Sequence, residues 1–222
     1  MDASHLARIR TWLVVGAALA VLGIALGAWI SIGRGNDPFA VDAAWSAWLA
    51  AGRTEILLSF SYAMNFLGGG WFGILALPLA VVAVLLVLRR PWAAAYFLVA
   101  SAVSAGLVQV CKHLFGRARP EEIIVVSDFG SFPSGHVANA ATIAVALFVV
   151  FPGVWVAIAG AAWTMLMAFS RTYLGAHWLS DTLGGALLGA GSALLVAVLF
   201  ARLLDSEFRR RAGSRPVAEV AS

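Results

Sequence analysis

Ser170-Arg171-Thr172-Tyr173-Leu174-Gly175-Ala176-His177-Trp178-Leu179-Ser180-Asp181 is the stretch where a base, an imidazole and an acid interrupt long apolar runs within a dozen residues. Read as helix from His177 onward, it puts His177 and Asp181 one turn apart on one face. The carboxylate then holds one ring nitrogen and leaves the other free, which is how a nucleophilic histidine is built. Arg171, just upstream, is a permanently charged fork that grips a phosphate bidentately and has no reason to enter lipid without a partner.

Two more clusters match this one. Lys112 and Arg119-Pro120 close one apolar segment, and Pro133-Ser134-Gly135-His136 opens the next. The second places backbone N–H groups, a hydroxyl and an imidazole at an expected helix N-terminus, where anions bind. Lys-x6-Arg-Pro, then Pro-Ser-Gly-His, then Ser-Arg-x5-His-x3-Asp, in that order, resembles the type 2 phosphatidic acid phosphatase (PAP2) superfamily, whose site is shared with vanadium haloperoxidases. All three patterns are complete, over residues 112–181, and three spaced motifs are far more specific than a lone Pro-Ser-Gly-His.

The resemblance implies a division of labour. Lys112, Arg119 and Arg171 neutralise charge on the phosphoryl oxygens as the transition state forms, and Ser134 and the N–H of Gly135 add hydrogen bonds. His177 attacks phosphorus in line, with Asp181 fixing its tautomer, while His136 protonates the departing alkoxide and later activates the water that hydrolyses phosphohistidine. No cofactor is implied. His136, His177 and Asp181 are nominal zinc ligands, but three neighbouring cations oppose a metal and suit an anion, so none is expected. His5 and His113 match no motif and are read as non-catalytic.

Composition sets the environment. Of 222 residues, 62% are hydrophobic and 12% charged, and the mean hydropathy is +0.91; the chain is expected to be an all-α, polytopic membrane bundle forming a single domain over 1–222. The net charge of +4 does not point to nucleic acid, because the bases are scattered among apolar runs with no basic stripe interleaved with aromatics. Cys111 is the only cysteine, so no intrachain disulfide forms, and it is expected to be a small packed residue.

The first span covers Thr11 to Gly33, with Trp12 and Trp29 as interfacial anchors, and reads as uncleaved because its apolar run is longer than a usual signal-peptide core and ends without a clear small-x-small cleavage site. From Asp37-Pro38, Val41, Trp45, Trp48 and Leu49 recur at helical spacing opposite Asp42, Ser46 and Arg53, which describes a helix lying in the extracytoplasmic interface. Residues 56–67 are apolar but short of a span; whether they re-enter the membrane the sequence leaves open. Further spans are expected over Trp71 to Leu88, Trp92 to Cys111, His136 to the Phe151-Pro152-Gly153 turn, from that turn to the 170s, and His177 to Leu204. The Gly185-x3-Gly189 pair of the last is read as packing inside the bundle rather than a dimer face. Six spans put both termini, 1–10 and 205–222, on one side. Arg8, Arg10, Arg89, Arg90, Arg202, Arg209, Arg210, Arg211 and Arg215 fall there too, making that side cytoplasmic and the motif side extracytoplasmic.

The function expected is a cell-membrane lipid phosphatase acting at the outer face on a polyprenyl pyrophosphate, phosphatidic acid or phosphatidylglycerol phosphate, with the bilayer as its medium. A phosphotransferase discharging the same phosphohistidine onto an alcohol stays open, as does a homo-oligomer. A transporter predicts polar residues spread through the membrane depth, whereas the charge here gathers at one face. Specificity is expected to depend on the Glu121 to Phe132 stretch and on the helix near Trp45 and Trp48.

Overall fold

Inside a bilayer each backbone N–H and C=O must find its partner within its own segment, so uncharged runs of this length become helices. The computed structural model describes residues 3–213. Among them the elements are α1 (Ala3–Ala28), α2 (Ala40–Ala51), α3 (Glu55–Gly68), α4 (Leu77–Val87), α5 (Pro91–Phe115), α6 (Gly135–Val150), α7 (Val154–Tyr173) and α8 (Leu179–Gly213), with no strand. Wider, π-helical turns extend α1 through Trp29–Gly33 and lead into α4 through Phe72–Ala76.

By length and composition, four or five of the six expected crossings stand out. Four helices are long and apolar enough to cross a membrane, and a fifth crossing is possible if α3 and the Phe72–Val87 segment, bent by 48°, count as one. The break is at Gly68-Gly69-Gly70, so residues 56–67 are the first arm of a bent pair and the expected Trp71 to Leu88 span is its second. The expected fourth span, α6, has only 16 residues, short of the roughly 20 a full crossing needs.

α6 is the central helix, with Val137, Ala138, Ala140, Ala141, Thr142, Ile143 and Ala146 all buried. α8 lies against it at close range. A Cβ on Gly185 would come within 2.5 Å of the Ser134 carbonyl oxygen, and one on Gly189 within 2.2 Å of that of Ala138, so the glycine pair serves bundle packing as expected. Cys111 is buried and free, packed with Ile30, Phe115, Phe132 and Leu188.

Within the two expected tails the described residues, 3–10 and 205–213, are helical, belonging to α1 and α8. They meet at the end away from the motifs, where Asp205 pairs with His5 and Arg8 and the Glu207 carboxylate accepts the Trp92 N–H at 2.8 Å. Arg215 lies outside the described residues. α2 turns its polar stripe inward: Asp42 and Ser46 are buried, while Val41 and Trp48 face out. That inversion positions the site.

Candidate active site

α5 ends at Gly116, whose left-handed φ of 54° lets its N–H reach the Lys112 carbonyl. Lys112, in that last turn, is 2% exposed and donates to the Gly130 carbonyl at 2.6 Å. The chain then doubles back, with the Ser131 N–H donating to the Arg117 carbonyl at 2.8 Å and Ser131 Oγ to that of Ala118 at 3.0 Å. Phe132, fully buried edge-on to Phe115, pins the loop into the bundle.

This doubling corrects the expected role of Asp181. His177 is not helical; it lies in the turn between α7 and α8, and its Nδ1 lies 2.7 Å from the Ser131 carbonyl oxygen. A carbonyl only accepts, so Nδ1 carries the proton and Nε2 keeps its lone pair. The Asp181 carboxylate is 3.8 Å from Nδ1, outside hydrogen-bond reach. It accepts instead from the Trp178 N–H at 2.9 Å and from Arg117 Nη1 at 2.5 Å. Asp181 thus holds the turn that carries His177, and a backbone oxygen sets the tautomer. The turn also needs Gly175, at φ 65°, where a Cβ would meet the Glu122 carbonyl oxygen at 2.6 Å.

Arg117 carries no motif assignment, yet it is 1% exposed and central to the support. Its Nη1 also donates to Ser180 Oγ at 2.8 Å, and its Nη2 to Asp42 Oδ2 at 2.9 Å. Asp42 in turn accepts from the Ser180 N–H at 2.9 Å and Ser180 Oγ at 2.6 Å. One guanidinium bridges two carboxylates and ties α2, the loop and α8 together, each buried carboxylate hydrogen-bonded to the opposite charge, which makes its burial tolerable.

The remaining cations face a cavity of about 670 Å³, lined by Lys112, Arg119, Arg171, Gly135, His136 and His177 at one end. Arg119 donates through Nη1 to the Ala176 carbonyl at 2.5 Å and lies 3.3 Å from His177 Nε2. Arg171, 2% exposed, is held by the Asn65 side-chain oxygen. Burial first, then the charges of Arg171, Arg119 and Lys112, hold His177 well below the ordinary histidine range, against the opposing pull of the Ser131 carbonyl. At neutral pH its Nε2 is a free base beside three cations.

His136 opens α6, with Nε2 3.1 Å from the Asn65 carbonyl oxygen, so Nδ1 is left for proton traffic. Its ring lies so close to Gly69 that a Cβ there would sit 2.1 Å from Nε2. Ser134, the N-cap of α6, is fully buried and its hydroxyl has no partner; it stands beside the cavity wall rather than on it. The structure therefore gathers Lys112, Arg119, Gly135, His136, Arg171 and His177 around one space, with Ser134 and Asp181 behind. His5 and His113 are elsewhere, the first on Asp205 and the second on the Gln109 carbonyl. Arg117, Asp42, Asn65, Gly69 and Ser131 had no role in the sequence reading; only the Arg117-x-Arg119-Pro120 spacing hinted at one.

The rest of the cavity lining is mostly apolar, with Ile74, Pro78, Leu98, Ala102, Ala105 and Val108 beside a few uncharged polar residues, Ser101, Ser104, Gln109 and Asn139. A multi-pass membrane chain, all-helical among its described residues, with two histidines and three cations gathered around one cavity is the class of protein these observations define. The chain belongs to the PAP2 superfamily, whose family model matches residues 93–205. Over 123 residues it is 35% identical to a lipid A 1-phosphatase of Rhizobium johnstonii, covering 50% of this chain and 49% of that protein. Over 124 residues it is 33% identical to an undecaprenyl-diphosphatase of Sulfolobus acidocaldarius, covering 52% of this chain and 59% of that one. The chain thus spans about half the length of these curated relatives. The crystal structure of a transmembrane PAP2-type phosphatidylglycerolphosphate phosphatase from Bacillus subtilis matches with a TM-score of 0.71 at 26% identity, covering 88% of this chain and 98% of that one.

Proposed function

We propose that this chain is a membrane phosphatase that hydrolyses the terminal phosphate of a lipid phosphate or pyrophosphate. The observation that carries the reading is a cavity that joins a cationic, histidine-bearing end to a mostly apolar lining, a shape suited to an amphiphile whose phosphate and tail part company inside the protein. Lipid A, polyprenyl pyrophosphate, phosphatidic acid and phosphatidylglycerol phosphate all have that form.

The phosphate binds between Lys112, Arg119 and Arg171, near the Gly135 N–H. His177 Nε2 attacks phosphorus as the P–O bond to the lipid breaks, giving phosphohistidine, and the Ser131 carbonyl takes up part of the charge developing at Nδ1–H. His136 passes a proton to the leaving oxygen; an anionic phosphate beside its ring favours the charged form that this requires. Water, deprotonated by His136, then attacks phosphorus and restores His177. The basic residues at the end away from the site make that end cytoplasmic. The site then faces the extracytoplasmic side, α2 lies in that interface with Val41 and Trp48 toward lipid, and α6 is a sixth, shortened crossing.

The test is phosphate release from a panel of lipid mono- and pyrophosphates by purified protein in detergent, comparing wild type with His177→Ala and adding vanadate and chelator in parallel. Release that vanishes in the variant, falls with vanadate and survives chelator supports the reading. Equal activity in both proteins removes His177 as nucleophile, and lipid consumption that needs an added alcohol reassigns the chain as a phosphotransferase.

A further inference from the structure

Two of the three cavity cations already hold a carboxylate. Asp128 Oδ1 accepts from Arg119 Nη2 at 2.8 Å and lies 3.4 Å from Lys112 Nζ, on a side chain 57% exposed. It is the only acid among the described residues lining the cavity. Burial raises the Asp128 carboxyl, but Lys112 and Arg119 outweigh this and hold it below the usual range, so it is charged at neutral pH.

The carboxylate is not what positions these cations. Arg119 is fixed by carbonyls of Ala176 at 2.5 Å, Asp128 at 3.0 Å and Gly130 at 2.8 Å, and Lys112 by Gly130 at 2.6 Å. With the Asp128 side chain removed, both keep their partners. What the carboxylate adds is a negative charge tethered inside the site.

We propose that Asp128 is a specificity-determining residue that competes with phosphate for Lys112 and Arg119, admitting terminal phosphates and turning away phosphodiesters. This rests on the reading of those two cations as the phosphate site. A phosphodiester headgroup carries one negative charge, the same as Asp128, and must displace a competitor whose short tether gives it an effective concentration on the order of millimolar. A terminal phosphate carries about two charges near neutral pH, so it gains more from the same cations and wins. The displaced carboxylate, already half in water, loses little by leaving. Such a filter matters in a bilayer, where phosphodiesters surround the site in large excess, and it acts by penalising the wrong ligand.

The experiment uses Asp128→Asn, Asp128→Ala, Lys112→Ala and wild type in neutral detergent, with calorimetric binding of orthovanadate and inhibition of phosphate release by added phosphatidylglycerol. Both Asp128 variants are expected to bind vanadate about three- to fivefold more tightly, the size of one lost competing ion pair. They should also become sensitive to phosphatidylglycerol at levels that leave wild type unaffected. Unchanged or weaker vanadate binding in both Asp128 variants, or equal phosphatidylglycerol inhibition of wild type, overturns the inference. Vanadate binding as tight in Lys112→Ala as in wild type overturns the phosphate-site reading beneath it, a result the Asp128 variants alone cannot produce.

Discussion

Arg117 and Arg119 are two residues apart, yet they lie in regions with opposite charge balance. Behind the site, Arg117 stands between Asp42 and Asp181, every member fully buried and hydrogen-bonded. On the cavity wall, Arg119 shares one half-exposed carboxylate with Lys112, and Arg171 has only an amide oxygen. A cation matched by buried anions is structural; three cations around a space with one carboxylate among them leave an excess of positive charge, which suits an anionic ligand. Motif matching marks Arg119 and passes over Arg117, and charge balance explains why both are needed.

The comparison breaks first at Arg117. Arg117→Ala leaves two buried carboxylates facing one another and should cost about 3–5 kcal/mol, seen as a fall in the detergent unfolding midpoint; an unchanged midpoint would mean the network bears no load. Arg171→Ala should do the reverse. Activity drops about 100- to 1000-fold, as for loss of one transition-state donor, while the midpoint holds or rises because crowding of like charges is relieved. Gly69→Ala, in an extended backbone that alanine accepts, pushes its methyl into the His136 ring, and kcat should fall on the order of 10- to 100-fold with the fold intact. The smallest effect is in pH. With His177 held below its ordinary range, its neutral, reactive form persists under pH 6.5, so the acid limb of kcat/KM lies below that value, and Arg119→Gln should move it upward. Stability linked to His177 has the matching sign: present above pH 6.5 and lost as pH falls, because the unfolded chain takes up that proton first.

The helical, membrane-spanning character of the chain was legible because apolar runs and charge breaks are local features. The motif residues stood out because the three motifs are short, and the bundle brings six of them to one cavity, with Ser134 and Asp181 behind it. What could not be read depends on contacts distant in sequence. Asp42 looked like the polar side of an interfacial helix, and nothing near it announces a partner 75 positions on. Ser131 acts through its carbonyl, an atom that every residue has, so no residue type could have flagged it, and the carboxylate four residues from His177 was the natural but incorrect choice. The bounds of α6 were legible too, since Pro133 and the Phe151-Pro152-Gly153 turn mark the two ends of its apolar run.

The most direct test of His177 as a nucleophile is rapid acid-free quenching of the purified protein with a phosphorus-labelled lipid phosphate, followed by mapping of the label. Transient, acid-labile phosphate on His177, absent in His177→Ala and prolonged in His136→Ala, is the expected result. Turnover with no protein-bound phosphate, or label that persists in His177→Ala, would contradict it.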